Sequence, residues 1–172
     1  IYPGQNIAKL SVTIRNPALW WPVGHGEQVL HDLTVTLGDE ARHRRIGLRD
    51  IMLDTSDDDV GARFAFRVNG REVFMRGANW IPADALPERG TPELVRDRLT
   101  SAVEANFNMI RVWGGGQYEA DWFYDICSEL GILVWHDFMF ACNLYPSHDN
   151  HWLAAVRTEA RQQIRRLSSQ PC

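Results

Sequence analysis

Asn108 to Gly116 reads NMIRVWGGG, and Gly131 to Cys142 reads GILVWHDFMFAC. Each opens with an apolar run too short for a helix. Met109-Ile110-Arg111-Val112-Trp113 is a short buried strand, and Ile132-Leu133-Val134-Trp135 is a continuous apolar run, as expected of a parallel strand covered on both faces. Between them Trp122, Phe123, Ile126, Cys127 and Leu130 recur at helical spacing, and Gly131 supplies the stop. The pattern is strand, helix, strand.

The same rhythm continues outward. Upstream, Thr91-Pro92-Glu93 combines an N-cap, a proline at the first helical position and an acid in the first turn. The helix it opens places Val95, Leu99, Ala102, Val103 and Asn106 on one face. Downstream, a helix from about His151 to Leu167 carries Leu153, Val156, Ala160, Ile164 and Leu167 on one stripe. Three successive β/α units imply a parallel sheet, either doubly wound or part of a (β/α)8 barrel. Gly114-Gly115-Gly116 is no nucleotide loop: it lacks the G-x-G-x-x-G spacing, and Glu119 follows, which would repel phosphate.

The first third alternates instead. Leu10, Val12 and Ile14 predict a half-buried strand, as do Leu33, Val35 and Leu37, and a third extended stretch runs from Ile46 to Leu53. Asn16 to Pro22 (NPALWWP) is a proline-punctuated loop. The acidic run Asp54 to Asp59 marks a loop or boundary. Phe64, Phe66 and Val68 alternate again, and Asn69-Gly70 is a hairpin turn signal before the return strand Glu72 to Met75. This is the pattern of part of a β-sandwich.

A net charge of −4 argues against nucleic acid, and the arginine clusters 42–45 and 161–166 read as solvated faces. No apolar run is long enough for a membrane helix, so no membrane partner is expected. Cys127, Cys142 and Cys172 lack metal-like or disulfide-framework spacing, and compartment and oligomeric state stay open. His148 and His151 flank Asp149, but no third ligand has a suitable spacing, so neither metal nor cofactor is expected.

NPALWWP, VFMRGANWIP (residues 73–82), NMIRVWGGG, Tyr118-Glu119 and GILVWHDFMFAC, in this order, resemble the β-mannosidase branch of glycoside hydrolase family 2. The resemblance covers nearly the whole chain. It implies a multidomain protein, β then α/β. Residues 1–60 would form a partial immunoglobulin-like β-sandwich, and residues 61–172 the first three β/α units of a TIM (β/α)8 barrel. Val73 to Asn79 would be barrel strand 1, Met109 to Trp113 strand 2 and Ile132 to Asp137 strand 3, with strand 4 expected after Cys172. The implied reaction is hydrolysis of terminal β-D-mannose from an oligosaccharide or glycan with retention of configuration. Such enzymes use two carboxyls about 5–5.5 Å apart. Similar enzymes carry them as glutamates after strands 4 and 7, the acid/base directly following an asparagine. No asparagine in this chain is followed by glutamate, so both catalytic residues are expected beyond Cys172 and this chain alone is expected to be inactive.

The visible site residues are then supporting ones. Barrel chemistry sits at the C-terminal ends of the strands. Arg111 resembles the family arginine that hydrogen-bonds the nucleophilic glutamate; the alternative is a structural ion pair. Trp113, freed by the glycines after it, could wall a sugar subsite or sit in the core. Asp137 could accept bonds from sugar hydroxyls or pair with Arg111. Asn79 and Trp80 could shape the pocket floor. Trp20 and Trp21 read as domain-interface packing, and Glu119 and Asp121 as helix capping. Two other functions stay open: a non-catalytic carbohydrate-binding or structural remnant, and a family 2 glycosidase of other specificity, such as an endo-β-mannosidase.

Overall fold

The computed structural model describes residues 9–172; residues 1–8 of the expected sandwich region lie outside the described residues. The described residues are β-rich, with three α-helices and one short 3-10 helix. In order, its strands are β1 (His31–Leu37), β2 (Glu40–Ile46), β3 (Ile51–Asp54), β4 (Ala65–Val68), β5 (Arg71–Val73) and β6 (Gly77–Trp80). Then follow α1 (Pro92–Glu104), β7 (Met109–Val112), α2 (Asp121–Leu130), β8 (Leu133–His136) and α3 (Asn150–Leu167).

The strands form three sheets: the hairpin β1-β2, the antiparallel β3-β4-β5 and the parallel β6-β7-β8. Asn69 and Gly70 turn β4 into β5 with φ of 49° and 77°, the positive pair a type I′ turn demands. Thr91 caps α1 by accepting from the Leu94 amide, and Gly131 ends α2 at φ 75°.

Period-2 alternation divides the parallel sheet. Ile110 and Val112 of β7 pack under Val95 and Leu99 of α1 and Phe123, Ile126 and Cys127 of α2, so both crossover helices cover one face. On the opposite face Leu133 joins Trp20, Val68 and Val73, with Met109 packed alongside. Trp20 is fully buried, and its indole N–H donates to the Ser128 carbonyl of α2 at 2.8 Å. It packs against Val68 and Val73 of the antiparallel sheet and Leu133 of the parallel one. Trp21 lies under the Arg71 guanidinium, 4.9 Å from its centroid.

Three strand expectations need correction. Leu10 to Ile14 forms no strand; no strand among the described residues lies beside it, and Leu10 and Val12 are 85% and 83% exposed. The stretch from Ile46 to Leu53 is the end of β2 and, after a break, β3. Arg42 to Arg45 is exposed, as its reading as a solvated face requires, and lies in strand β2, paired residue by residue with β1. Val73 to Asn79 is not one strand: β5 pairs antiparallel with β4, and β6 pairs parallel with β7.

The cause of that last break is Asn108. Its fully buried side chain accepts from the Arg76 amide at 2.8 Å and donates to the Phe74 carbonyl at 3.0 Å, holding the bend between the two strands. Replacing Asn108 with Ala leaves both groups without a partner and is expected to lower stability by about 2–3 kcal/mol. Urea unfolding followed by tryptophan fluorescence measures this; a loss below about 0.5 kcal/mol would contradict the role.

Candidate functional site

The register of the parallel sheet sets Asn79, Arg111 and Trp135 side by side. All three lie on the face away from α1 and α2. Three parallel strands carrying such residues in one row produce a cluster no single segment contains.

Arg111 is its centre. Its Nε donates to Asp137 Oδ1 at 3.0 Å and its Nη2 to Oδ2 at 2.6 Å, a bidentate fork. Its Nη1 donates to Asn79 Oδ1 at 3.1 Å. Asp137 Oδ2 also accepts from the Gly114 amide at 3.1 Å. The Arg111 side chain is 42% exposed and Asp137 18%, so the arginine faces outward from a more buried carboxylate. A cavity of about 360 Å³ opens beside it, lined by Met75, Gly77, Ala78, Asn79, Met109 and Arg111. Of the five guanidinium N–H groups, three are engaged by these partners, which leaves two for an incoming acceptor.

The remaining expected residues separate from this cluster. Trp80 points to the helix-covered face: its indole N–H donates to Glu119 Oε1 at 3.0 Å, and its ring lies 5.2 Å from Phe123. Trp113 is half-buried, its ring folded over Gly115, where a Cβ would come within 2.1 Å of it. Glu119 does not cap α2; it is 6% exposed and binds Trp80 and Gln117. Asp121, in the first turn, pairs with Arg166 at 3.2 Å. Asp149 caps α3 by accepting from the His151 and Trp152 amides. Among the described residues no group of three His, Cys, Asp or Glu side chains could hold a metal. The two arginine clusters meet across a cleft of about 890 Å³, where Asp32, Asp121 and Asp125 alternate with them, so it has no uniform basic character.

Sequence reasoning missed His136. Its Nδ1 lies 2.7 Å from the Asp137 carbonyl and its Nε2 2.8 Å from the Tyr124 hydroxyl. Burial pushes its pKa below the ordinary imidazole value, and the Arg166 charge acts the same way. Burial likewise raises the Tyr124 phenol. The one available signal was its place, between an apolar run and Asp137.

A match to the family model described as glycosyl hydrolases family 2 covers residues 2–49. The chain is 43% identical to a beta-mannosidase of Capra hircus over 98% of its own length and 20% of the relative's. It is 42% identical to the beta-mannosidase B of Aspergillus clavatus, over 95% of this chain and 20% of that one. The crystal structure of the Beta-D-Mannosidase from Dictyoglomus thermophilum superposes with a TM-score of 0.86 at 46% identity, covering 93% of this chain and 20% of that one.

By these matches the chain is related to glycosyl hydrolases family 2. It spans about a fifth of the length of the curated relatives it matches. The chain thus carries the Asn79–Arg111–Asp137 cluster within a segment alignable almost end to end with part of them.

The lowered His136 pKa has a consequence for stability. The unfolded imidazole takes up its proton near its ordinary value of about 6.5, while the folded one resists it, so stability is full above that pH and falls as pH drops through the folded value. His25, lowered mainly by burial, acts in the same direction. Urea midpoints should therefore fall between pH 7 and about 5, and less steeply in His136→Asn. Equal slopes in both proteins would refute this assignment.

Proposed function

We propose that this chain is part of a retaining β-mannosidase that releases terminal β-D-mannose from oligosaccharides or glycans, and that Arg111 steers a catalytic carboxylate supplied by residues outside this segment. The observation that carries the reading is the Arg111 fork: clamped by Asp137 and Asn79 on the open sheet face, it keeps two N–H groups free among the described residues. The beta-mannosidase relatives support the substrate class.

The clamp refines the role. Asp137 offsets much of the guanidinium charge, so Arg111 acts on a second carboxylate through directed N–H donation more than through net charge. Asp137 is then a positioning residue; both its oxygens are already engaged by Arg111 and Gly114. Asn79 completes the clamp. Trp113 remains a candidate subsite wall, and Trp80 supports the site from beneath through Glu119.

The architecture we infer is a partial immunoglobulin-like sandwich over residues 1–60 and the first three β/α units of a TIM barrel over residues 61–172. Sequential strand order with both crossover helices on one face supports a barrel over a doubly wound sheet, which has helices on both faces. The division at residue 60 passes through the loop of the β3–β4 pair, so the two parts share a hairpin.

The test is a chimera in which residues 1–172 replace the aligned part of the Dictyoglomus thermophilum enzyme. It should cleave β-mannosides in preference to β-galactosides and β-glucuronides. Arg111→Lys keeps the charge but loses the fork, and should lower kcat about 10- to 100-fold with little change in KM. An unaffected kcat would remove Arg111 from the site, and a chimera that binds mannosides without cleaving them would favour the non-catalytic reading.

A further inference from the structure

His136 stands directly behind the clamp. A carbonyl oxygen can only accept, so the 2.7 Å contact with Asp137 requires the proton on Nδ1. The neutral ring then has a bare Nε2, and the Tyr124 hydroxyl donates to it at 2.8 Å. The Asp137 amide donates to the Val112 carbonyl at 3.1 Å. Both peptide groups flanking the Asp137 side chain are therefore pinned, one by β7 and one by His136. The carboxylate between them reaches Arg111 and the Gly114 amide.

The imidazole is itself held on two sides. Tyr118 stacks on it at 5.4 Å, and its hydroxyl donates to Glu159 of α3 at 3.1 Å. Arg166 of α3 lies 5.5 Å from the Tyr124 ring and also donates to the Glu119 carbonyl. The charged or titratable groups around His136 are thus Tyr124 on α2, Tyr118 and Glu119 before it, Arg166 on α3 and the adjoining Asp137.

We propose that His136 is a positioning residue: fixed as the Nδ1–H tautomer by Tyr124, it holds the peptide that aims the Asp137 carboxylate and so keeps the Arg111 fork in place. Protonation of the ring keeps the Nδ1–H bond to the Asp137 carbonyl but makes Nε2 a donor, so the Tyr124 hydroxyl must turn to accept; the ring resettles and the aim shifts with it. The consequence for catalysis rests on the reading of Arg111 given above; the tautomer and the clamp do not.

Two measurements separate these. In the chain labelled with ¹⁵N at histidine and arginine, long-range ¹H–¹⁵N spectra read the tautomer, and the Arg111 Nε–H signal reads the clamp. The expected result is a protonated Nδ1 and a bare Nε2, with the Arg111 signal shifting in the same titration as His136. Tyr124→Phe, which keeps the buried ring, should let His136 protonate at higher pH with the Arg111 signal following it. The Trp20 indole N–H, bonded to Ser128, should stay unmoved and so report an intact fold. An Nε2–H tautomer, or an Arg111 signal indifferent to the titration, would overturn the proposal. In the chimera, His136→Ala should lower kcat about 10- to 100-fold with KM little changed. His136→Asn, whose amide can donate to the same carbonyl, should recover most of that rate and lose the acid limb of the kcat profile. Equal losses in both variants, with no change of the pH profile, mark a merely structural side chain and refute the role. Arg111→Ala cleaving mannosides normally would sink the site reading and leave the spectroscopic result standing.

Discussion

The buried Asn108 side chain is the joint on which the rest of the structure turns. It holds the Phe74 carbonyl and the Arg76 amide, and its backbone amide donates to the Arg76 carbonyl while its own carbonyl accepts from the Leu133 amide. One residue thus ties the end of the antiparallel sheet to the start of the parallel one and sets the level at which β7 and β8 begin. A buried amide with every group satisfied admits little displacement, because each slip leaves a polar group unpaired. The register that follows from it puts Asn79, Arg111 and Trp135 in one row.

From that row the chemistry follows by division of labour between faces. The helix-covered face is mainly apolar, with Val95, Leu99, Phe123 and Cys127 against β7. The other face keeps one arginine, and its charge is tolerated there because Asp137, Asn79 and an open cavity share it. Trp80 and His136, which alternate onto the helix side, do not touch the arginine; they support its neighbourhood through Glu119 and Asp137.

Much of this was legible in the sequence, for local reasons. Thr91-Pro92 opens α1, Gly131 closes α2 and Asn69-Gly70 turns β4 into β5, since cap and turn chemistry depend on a few adjacent residues. The pairing of Arg111 with Asp137 stood among the alternatives because both lie at ends of neighbouring strands. The strand at Leu10 to Ile14 misread an alternating pattern that describes a strand only when another lies beside it. Glu119 misread the same way: its position suggested a cap, while its burial beside Trp80 is a product of packing.

What the sequence by itself determined is the order and type of most elements, the family resemblance and the residue types at the strand ends. Periodicity, caps and turns are short-range and survive without knowledge of the fold. What only the tertiary structure decided is which side chains share a face and which atoms meet. The two-pronged clamp on Arg111, the turn of Trp80 toward the helices and the placement of His136 behind Asp137 depend on the register between strands more than twenty residues apart. A shift of one residue would reverse every face, and that register is set by buried contacts such as those of Asn108, which no local pattern records.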